Sequence, residues 1–197
     1  WVYFDIIDED ASLKCFATVY QLPGPLEDGM MVEVTGNPRL HPLFGFSINL
    51  SAIIPVGEGA IARQAELLRA KLEQEGLFSP ERKRPVPFLP HKVGLITSIG
   101  SAAYGDFIKI LNQRWGGVEV EVTDSLVQGS NAPIQIIACI NHFNQSAVPP
   151  EVIVITRGGG SVDDLAAFND ERLVRSVPAS RIPTLIAIAH DRDLMLA

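Results

Sequence analysis

Residues 151–177, "EVIVITRGGGSVDDLAAFNDERLVRSV", decide the fold. An apolar run from Val152 to Ile155 leads into Arg157 and three glycines, and helical spacing begins after them. A strand without polar interruption is covered on both faces. Glycines between a strand and a helix let backbone approach a ligand closely and turn N–H groups toward an anion. Ser161 and Asp164 make a capping-box pattern for the following helix, and Arg157 adds a charged fork suited to phosphate oxygens. The dinucleotide fingerprint G-x-G-x-x-G is absent, as is the GK[ST] of a P-loop. A tight turn alone would also use such glycines, so the stretch has a purely geometric reading beside the functional one.

Working outward, the same alternation repeats on both sides. "VGLITS" (93–98), "EVIVIT" and "TLIAIA" (184–189) read as strands, and "VEVEVTDSLVQG" as a strand and the loop after it. "AAYGDFIKILNQRW", "PIQIIACINHFNQ" and "VDDLAAFNDERLVRSV" read as the helices between them. That order predicts a mainly parallel sheet with helices on both faces over residues 93–197. Residues 57–92 form a connector. Ile61, Ala65, Leu68 and Leu72 have helical spacing, Gly76 stands at the C-terminal cap, and "SPERKRPVPFLP" is a basic, proline-rich linker. Residues 1–56 read as four strands in up-and-down order, a small antiparallel barrel or an incomplete one. The two prolines of "NPRLHPL" are expected to separate the third strand from the fourth.

With 47% hydrophobic and 20% charged residues, the composition is that of an ordinary globular protein. No apolar run is long enough for a membrane span, and "WVYFDIIDED" lacks the features of a secretory leader. Starting without Met and inside a strand pattern, the chain reads as a fragment. Cys15 and Cys139 have no metal-site or disulfide-framework spacing, so a reducing cytoplasm is expected. The net charge of −7 opposes nucleic-acid binding, but it is unevenly spread. Residues 1–60 carry two basic and eight acidic side chains, residues 61–92 seven and four, and residues 93–197 seven and eleven. The basic excess centres on Arg82, Lys83 and Arg84. Half of the fourteen aromatic residues lie before residue 47, among them Tyr3, Phe16 and Phe46, candidates for stacking on bases.

Strands of a parallel sheet end on one side, and ligands bind beyond those ends. Thr97, Ser98, Gly100 and Ser101 follow the first strand, Gln128 and Gly129 the second, Arg157 to Ser161 the third, and His190, Asp191 and Asp193 the fourth. Ser98, Gln128, Gly158, Gly159, Gly160 and Ser161 are therefore candidate phosphate ligands. His190 titrates near neutral pH, Asp193 would share its face on a helical turn, and Asp106 lies about one turn into the first helix. With Arg157, this set suits phosphoryl transfer, in which fixed donors stabilise growing charge and His190 or an aspartate moves a proton. No G-x-S-x-G elbow supports serine hydrolase chemistry. On spacing, Asp106, Asp163, Asp164 and Asp193 could hold Mg²⁺.

At this point "GLITSIGSAAYGDFIKIL", "LVQG", "RGGGSVDDLAAFNDERLVRSV", "ASRIP" and "AHDRD" resemble the catalytic domain of the exodeoxyribonuclease VII large-subunit family. Residues 1–56 resemble that family's N-terminal OB-fold without its first strand, and "GEGAIARQAELLRAKLEQEGLF" its connector. The resemblance implies degradation of single-stranded DNA from its ends to short oligonucleotides, with a small-subunit partner recruited through a C-terminal region missing here, and activity without a required metal. It maps the family's acidic and histidine positions onto Asp106, His190 and Asp193, and its arginine-glycine loop onto Arg157 to Gly160. Two departures stand out: Gly100-Ser101-Ala102-Ala103 for the usual T-G-A-A, and Ala189-His190-Asp191-Arg192-Asp193 for G-H-E-T-D. The open edges of an incomplete barrel imply self-association. Two other functions suit these residues, a single-strand-binding module with a non-catalytic α/β part and a small-molecule enzyme holding a nucleotide phosphate.

Overall fold

The computed structural model describes residues 1–8, 10–158, 165–188 and 196–197. They form two compact units, Trp1–Leu67 and Leu68–Ala197.

In the first unit, β1 (Val2–Ile7) and β2 (Ser12–Ala17) form a hairpin whose loop is held by Asp8, its carboxylate accepting the N–H groups of Asp10 and Ala11. Side chains alternate across the sheet. Phe4, Ile6, Cys15 and Ala17 turn inward and join Val34, Ile48 and Leu50 in a small core, while Tyr3, Lys14 and Phe16 turn outward. β3 (Val32–His41) and β4 (Gly45–Pro55) make a second hairpin. The strand order is β1-β2-β4-β3, with β2 and β4 parallel, which corrects the up-and-down order expected from sequence. The connection from Thr18 to Met31 is too long for a hairpin turn, so it carries the chain past the place beside β2 that β4 later fills. A second correction concerns "NPRLHPL". β3 continues through Pro38, which pairs with Ile48, because an edge strand tolerates a residue without a donor. Only Pro42 falls in the turn.

Helix α1 (Glu58–Gln74) crosses the boundary between the units. Its buried stripe is Ile61, Gln64, Leu68 and Leu72, with Ala65 half-buried. Gly76 ends it at φ +69, as expected, with the N–H groups of Gly76 and Leu77 donating to the carbonyls of Glu73 and Leu72. Those two bonds are the Schellman pattern, which needs a left-handed residue. The proline-rich linker contains one 3-10 turn, Pro80–Arg82, and otherwise no regular structure up to Lys92.

The rest of the second unit is a parallel sheet of β5 (Lys92–Thr97), β6 (Glu119–Asp124), β7 (Val152–Thr156) and β8 (Thr184–Ala187), ordered β6-β5-β7-β8. Helix α2 (Ala102–Arg114) places Tyr104, Phe107 and Ile108 against Val93, Leu95, Val152 and Val154 on one face. Helices α3 (Ala132–Gln145) and α4 (Glu171–Ala179) cover the other, packing Ile136, Ile140, Phe143 and Leu173 on Ile96, Ile153 and Ile155. Alternate residues of β5 and β7 thus feed opposite cores, which is why these strands read as unbroken apolar runs. Gly94 permits the close approach of α3, since a Cβ there would stand 2.8 Å from Pro150 Cγ and 3.0 Å from the Phe143 ring.

The single helix expected over 162–177 is also corrected. Ala166–Asn169 is a 3-10 turn, and Asp170, in extended conformation, starts α4 by accepting the N–H groups of Arg172 and Leu173. An aspartate before a Glu-led segment competes with helix continuation by capping the next one. Among the described residues, no helix is long and apolar enough to cross a membrane.

Candidate active site and nucleic-acid interface

β6 and β7 lie on opposite sides of β5, so the chain reverses its direction of winding between β5 and β7. The loops leaving those two strands go to opposite faces and open a crevice between them, the place where ligands bind in such sheets. The strand ends are level. Thr97 pairs with Asp124, Ile96 with Ile155, and Thr156 with Ala187.

Backbone and side-chain bonds brace this rim. The Ser125 N–H donates to the Thr97 carbonyl at 3.0 Å, and the Ile99 N–H to Asp124 Oδ1 at 3.0 Å, which ties the end of β6 to the β5–α2 loop. Ser101 caps α2, its Oγ accepting the Tyr104 N–H. The Leu126 N–H donates to Gln135 Oε1 at 2.9 Å and orders the β6–α3 loop. The Thr156 hydroxyl and the Arg157 N–H both donate to the Ala187 carbonyl, joining β7 to β8. Thr97 is fully buried, and its hydroxyl has no hydrogen-bond partner among the described residues.

The structure brings Ser98, Arg157 and Gly158 to the β5/β7 crevice. Ser98 is half-buried, and its carbonyl accepts the Ser101 N–H. Arg157 is buried at 6% exposure, so its charge lies within the strand end rather than in solvent. A Cβ on Gly158 would meet nothing within 4 Å, which leaves room for a ligand atom to approach the backbone. Asp106 is exposed in the second turn of α2, and Gln128 is exposed in the β6–α3 loop. Gly159, Gly160, Ser161, His190 and Asp193 lie outside the described residues, as do Asp163 and Asp164. Among the described residues no three His, Cys, Asp or Glu side chains gather as a metal site. Thr97 was read from sequence as a rim residue, and Asp124 escaped that reading. A polar residue ending each apolar strand is the signal that points to them.

The outward face of the first unit carries a row across all four strands, formed by Tyr3, Phe16, Asn49 and Asn37, paired in register. The Tyr3 and Phe16 rings stack with centroids 6.4 Å apart at 27°, and Trp1 lies 6.0 Å from Phe16 at 49°. Trp1 and Tyr3 are 70% and 75% exposed. By strand alternation Lys14 and Arg39 share this face, with Asp5 opposite Lys14. Two adjacent rings, two amides and two cations on one surface can stack bases and contact phosphates. Phe46 pairs with Leu40 and turns to the opposite face, where it stands exposed near the β3–β4 turn. Lys14, Asn37, Arg39 and Asn49 were not singled out from sequence. Their period-two spacing is visible there, but the row they form depends on register.

Arg82, Lys83 and Arg84 are exposed and line a groove of about 480 Å³ in the second unit, floored by Leu77, Phe78, Val174 and Ile186 along the outer edge of β8. This groove is separate from the β5/β7 crevice.

A family model described as "Exonuclease VII, large subunit" matches residues 77–197. Three similar proteins share the name "Exodeoxyribonuclease 7 large subunit". The one from Leptospira interrogans is 37% identical over 201 residues, covering 100% of this chain and 48% of its own length. That from Corynebacterium glutamicum is 44% identical over 172 residues, covering 87% of this chain and 41% of itself. That from Acidothermus cellulolyticus is 41% identical over 202 residues, covering 99% and 48%. The chain spans about half the length of these curated relatives or somewhat less. On this match over residues 77–197 and these identities, the chain belongs to the exonuclease VII large-subunit family.

Proposed function

We propose that the full-length protein is the large subunit of an exodeoxyribonuclease that hydrolyses single-stranded DNA from its ends to short oligonucleotides. The observation that carries this reading is the β5/β7 crevice, where Ser98, Arg157 and Gly158 meet at the topological switch point of a sheet from this family. In the reaction, a water oxygen attacks the phosphorus while the bond to the leaving sugar oxygen breaks. The Arg157 guanidinium and the N–H groups of Gly158 to Ser161 stabilise the charge growing on the non-bridging oxygens. Asp106, His190 and Asp193 take the proton from the water and return one to the leaving oxygen. Ser98 and Gln128 position the phosphate from the neighbouring loops.

The first unit acts as an OB-type grip on the single strand. Its parallel β2/β4 pair supports that reading, because a Greek-key barrel must bring non-consecutive strands together. Tyr3 and Phe16 form its stacking platform. Among the described residues β1 and β3 have no outer strand partner, which supports pairing with a further strand, including one from a second copy. The protein works in the cytoplasm with a small-subunit partner and without a required metal.

The test is end-labelled single-stranded DNA incubated with the full-length polypeptide and its small subunit, with and without chelator. Wild type shortens the strand in both conditions, and Asp106→Asn or His190→Ala slows it at least about 100-fold. Wild-type rates in both variants would remove the site assignment, and binding without any shortening would remove the nuclease reading.

A further inference from the structure

Five cations of the second unit meet carboxylates among the described residues. Arg69 pairs with Glu73, Lys71 with Glu171, Lys92 with Glu119 and Glu121, Arg172 with Asp170, and Arg175 with Glu75 and Glu171. Arg82, Lys83 and Arg84 are three adjacent cations that meet no carboxylate within salt-bridge distance among the described residues. Their one side-chain bond is from Arg84 Nη1 to the Pro178 carbonyl at 3.1 Å. The chain holds 23 acidic residues against 16 basic ones, so acids are not scarce. Leaving the densest basic run without partners in such a chain keeps its donors free for an external anion.

The same linker displays an aromatic ring. Phe88 is 94% exposed and flanked by prolines at 87 and 90, with Leu89 and Val86 about half exposed beside it. Prolines stiffen the backbone and hold the ring away from collapse onto the nearest apolar surface. Phe88 lies four positions beyond Arg84, at most about 14 Å of extended chain. Adjacent cations with a fixed, solvent-facing ring suit one ligand class, a single-stranded nucleic acid, whose phosphates need cations and whose bases need a stacking surface. An apolar protein segment would use the ring but leave three cations unmatched.

We propose that the linker from Pro80 to Pro90 is a single-strand contact in its own right, with Arg82, Lys83 and Arg84 on successive phosphates and Phe88 under one base. This rests on the single-stranded DNA reading above and adds a third binding element to the outward sheet face and the crevice.

Fluorescence anisotropy of a labelled, phosphorothioate-protected oligothymidylate, titrated with the full-length polypeptide across a potassium chloride series, tests it. Replacing all three cations with glutamine lowers the slope of log affinity against log salt by about 2, at about 0.7 per phosphate contact on a single strand. Phe88→Ala weakens binding about 5- to 150-fold with the slope unchanged, and Phe88→Trp restores it. Wild-type affinity and slope in both the triple variant and Phe88→Ala would overturn the proposal while leaving the nuclease reading intact. Lost small-subunit assembly with unchanged DNA binding would likewise overturn it and assign the linker to a protein interface. A wild-type protein without affinity for the oligonucleotide would overturn this proposal and the single-stranded DNA reading together.

Discussion

Gly94→Ala tests the packing that positions the crevice. Gly94 lies in β5, three residues before Thr97, and pairs with Glu121 on one side and Ile153 on the other. An added methyl would stand 2.8 Å from Pro150 Cγ and 3.0 Å from two atoms of the Phe143 ring. Neither neighbour is the free end of a flexible side chain, and the Phe143 ring is fully buried against the sheet. Ordinary carbon contacts lie near 3.5–4.0 Å, so α3 must retreat by a good fraction of an ångström or the ring must leave its rotamer. Overpacking of this kind costs about 1–3 kcal/mol, which for a unit of this size lowers the unfolding midpoint by roughly 3–15 °C. Differential scanning calorimetry reads the shift. Pairing Gly94→Ala with Phe143→Leu separates the clash from any generic strand effect, because relief of the clash makes the double variant lose less than the sum of the singles. A Gly94→Ala protein within about 0.5 kcal/mol of wild type, or strictly additive losses, would refute the packing argument.

Two further outcomes follow from the geometry. Phe16→Ala removes the ring that meets both Tyr3 and Trp1, and reduces single-strand affinity about 5- to 150-fold; Phe46→Ala, on the other face, leaves affinity within about twofold, and equal losses in anisotropy titrations would show that the outward row is not the platform. Burial pulls the Glu171 carboxyl upward, but its bonds to Lys71 and Arg175 hold it below the usual range, and Arg175 holds Glu75 low as well. A depressed carboxyl stabilises the fold above the unfolded value of about 4.3 and loses that contribution as pH falls through the folded value. Thermal midpoints therefore drop on acidification below about pH 4, and Glu171→Gln flattens that limb; an identical acid limb in the variant would contradict the network's role.

Much of the second unit was legible because its signals are local. Continuous apolar runs at 93–97 and 152–155 can only be doubly covered strands, and the polar residues that end them mark the rim. The side on which each strand joins β5 is not local. The sequence order of β6 and β7 is compatible with several arrangements, and the crevice exists only because they flank β5. Pro38 misled for the opposite reason. A proline is a strong local signal, yet its cost depends on whether the strand has a neighbour on that side, which only the sheet order decides. Asp170 belongs to the same class, since capping and helix continuation compete at one residue and tertiary packing of Phe168 and Leu173 on either side settles the outcome. The row Tyr3–Phe16–Asn49–Asn37 needed the register of three strand pairs, and no window of sequence contains that.

The net charge of −7 is the strongest compositional argument against the polyanionic substrate proposed above, and the distribution of charge weakens it. A ligand feels charges within about one Debye length, roughly 8 Å at physiological salt, so distribution outweighs the total. Acids in the first unit concentrate in the β1–β2 loop and in the connection before β3, where Glu27 is held by Arg63 through two bonds. The outward row has Lys14 and Arg39 beside it, with Asp5 as the nearest opposing charge. In the second unit carboxylates pair with Lys71, Lys92, Arg172 and Arg175, and among the described residues none forms an ion pair with Arg82, Lys83 or Arg84. A chain can therefore be acidic overall, which keeps it soluble and lowers non-specific adsorption to nucleic acid, while presenting cations where a strand must be held. On the proposed reading this division makes binding more sensitive to salt than the net charge suggests, since Lys14, Arg39, Arg82, Lys83 and Arg84 all stand exposed.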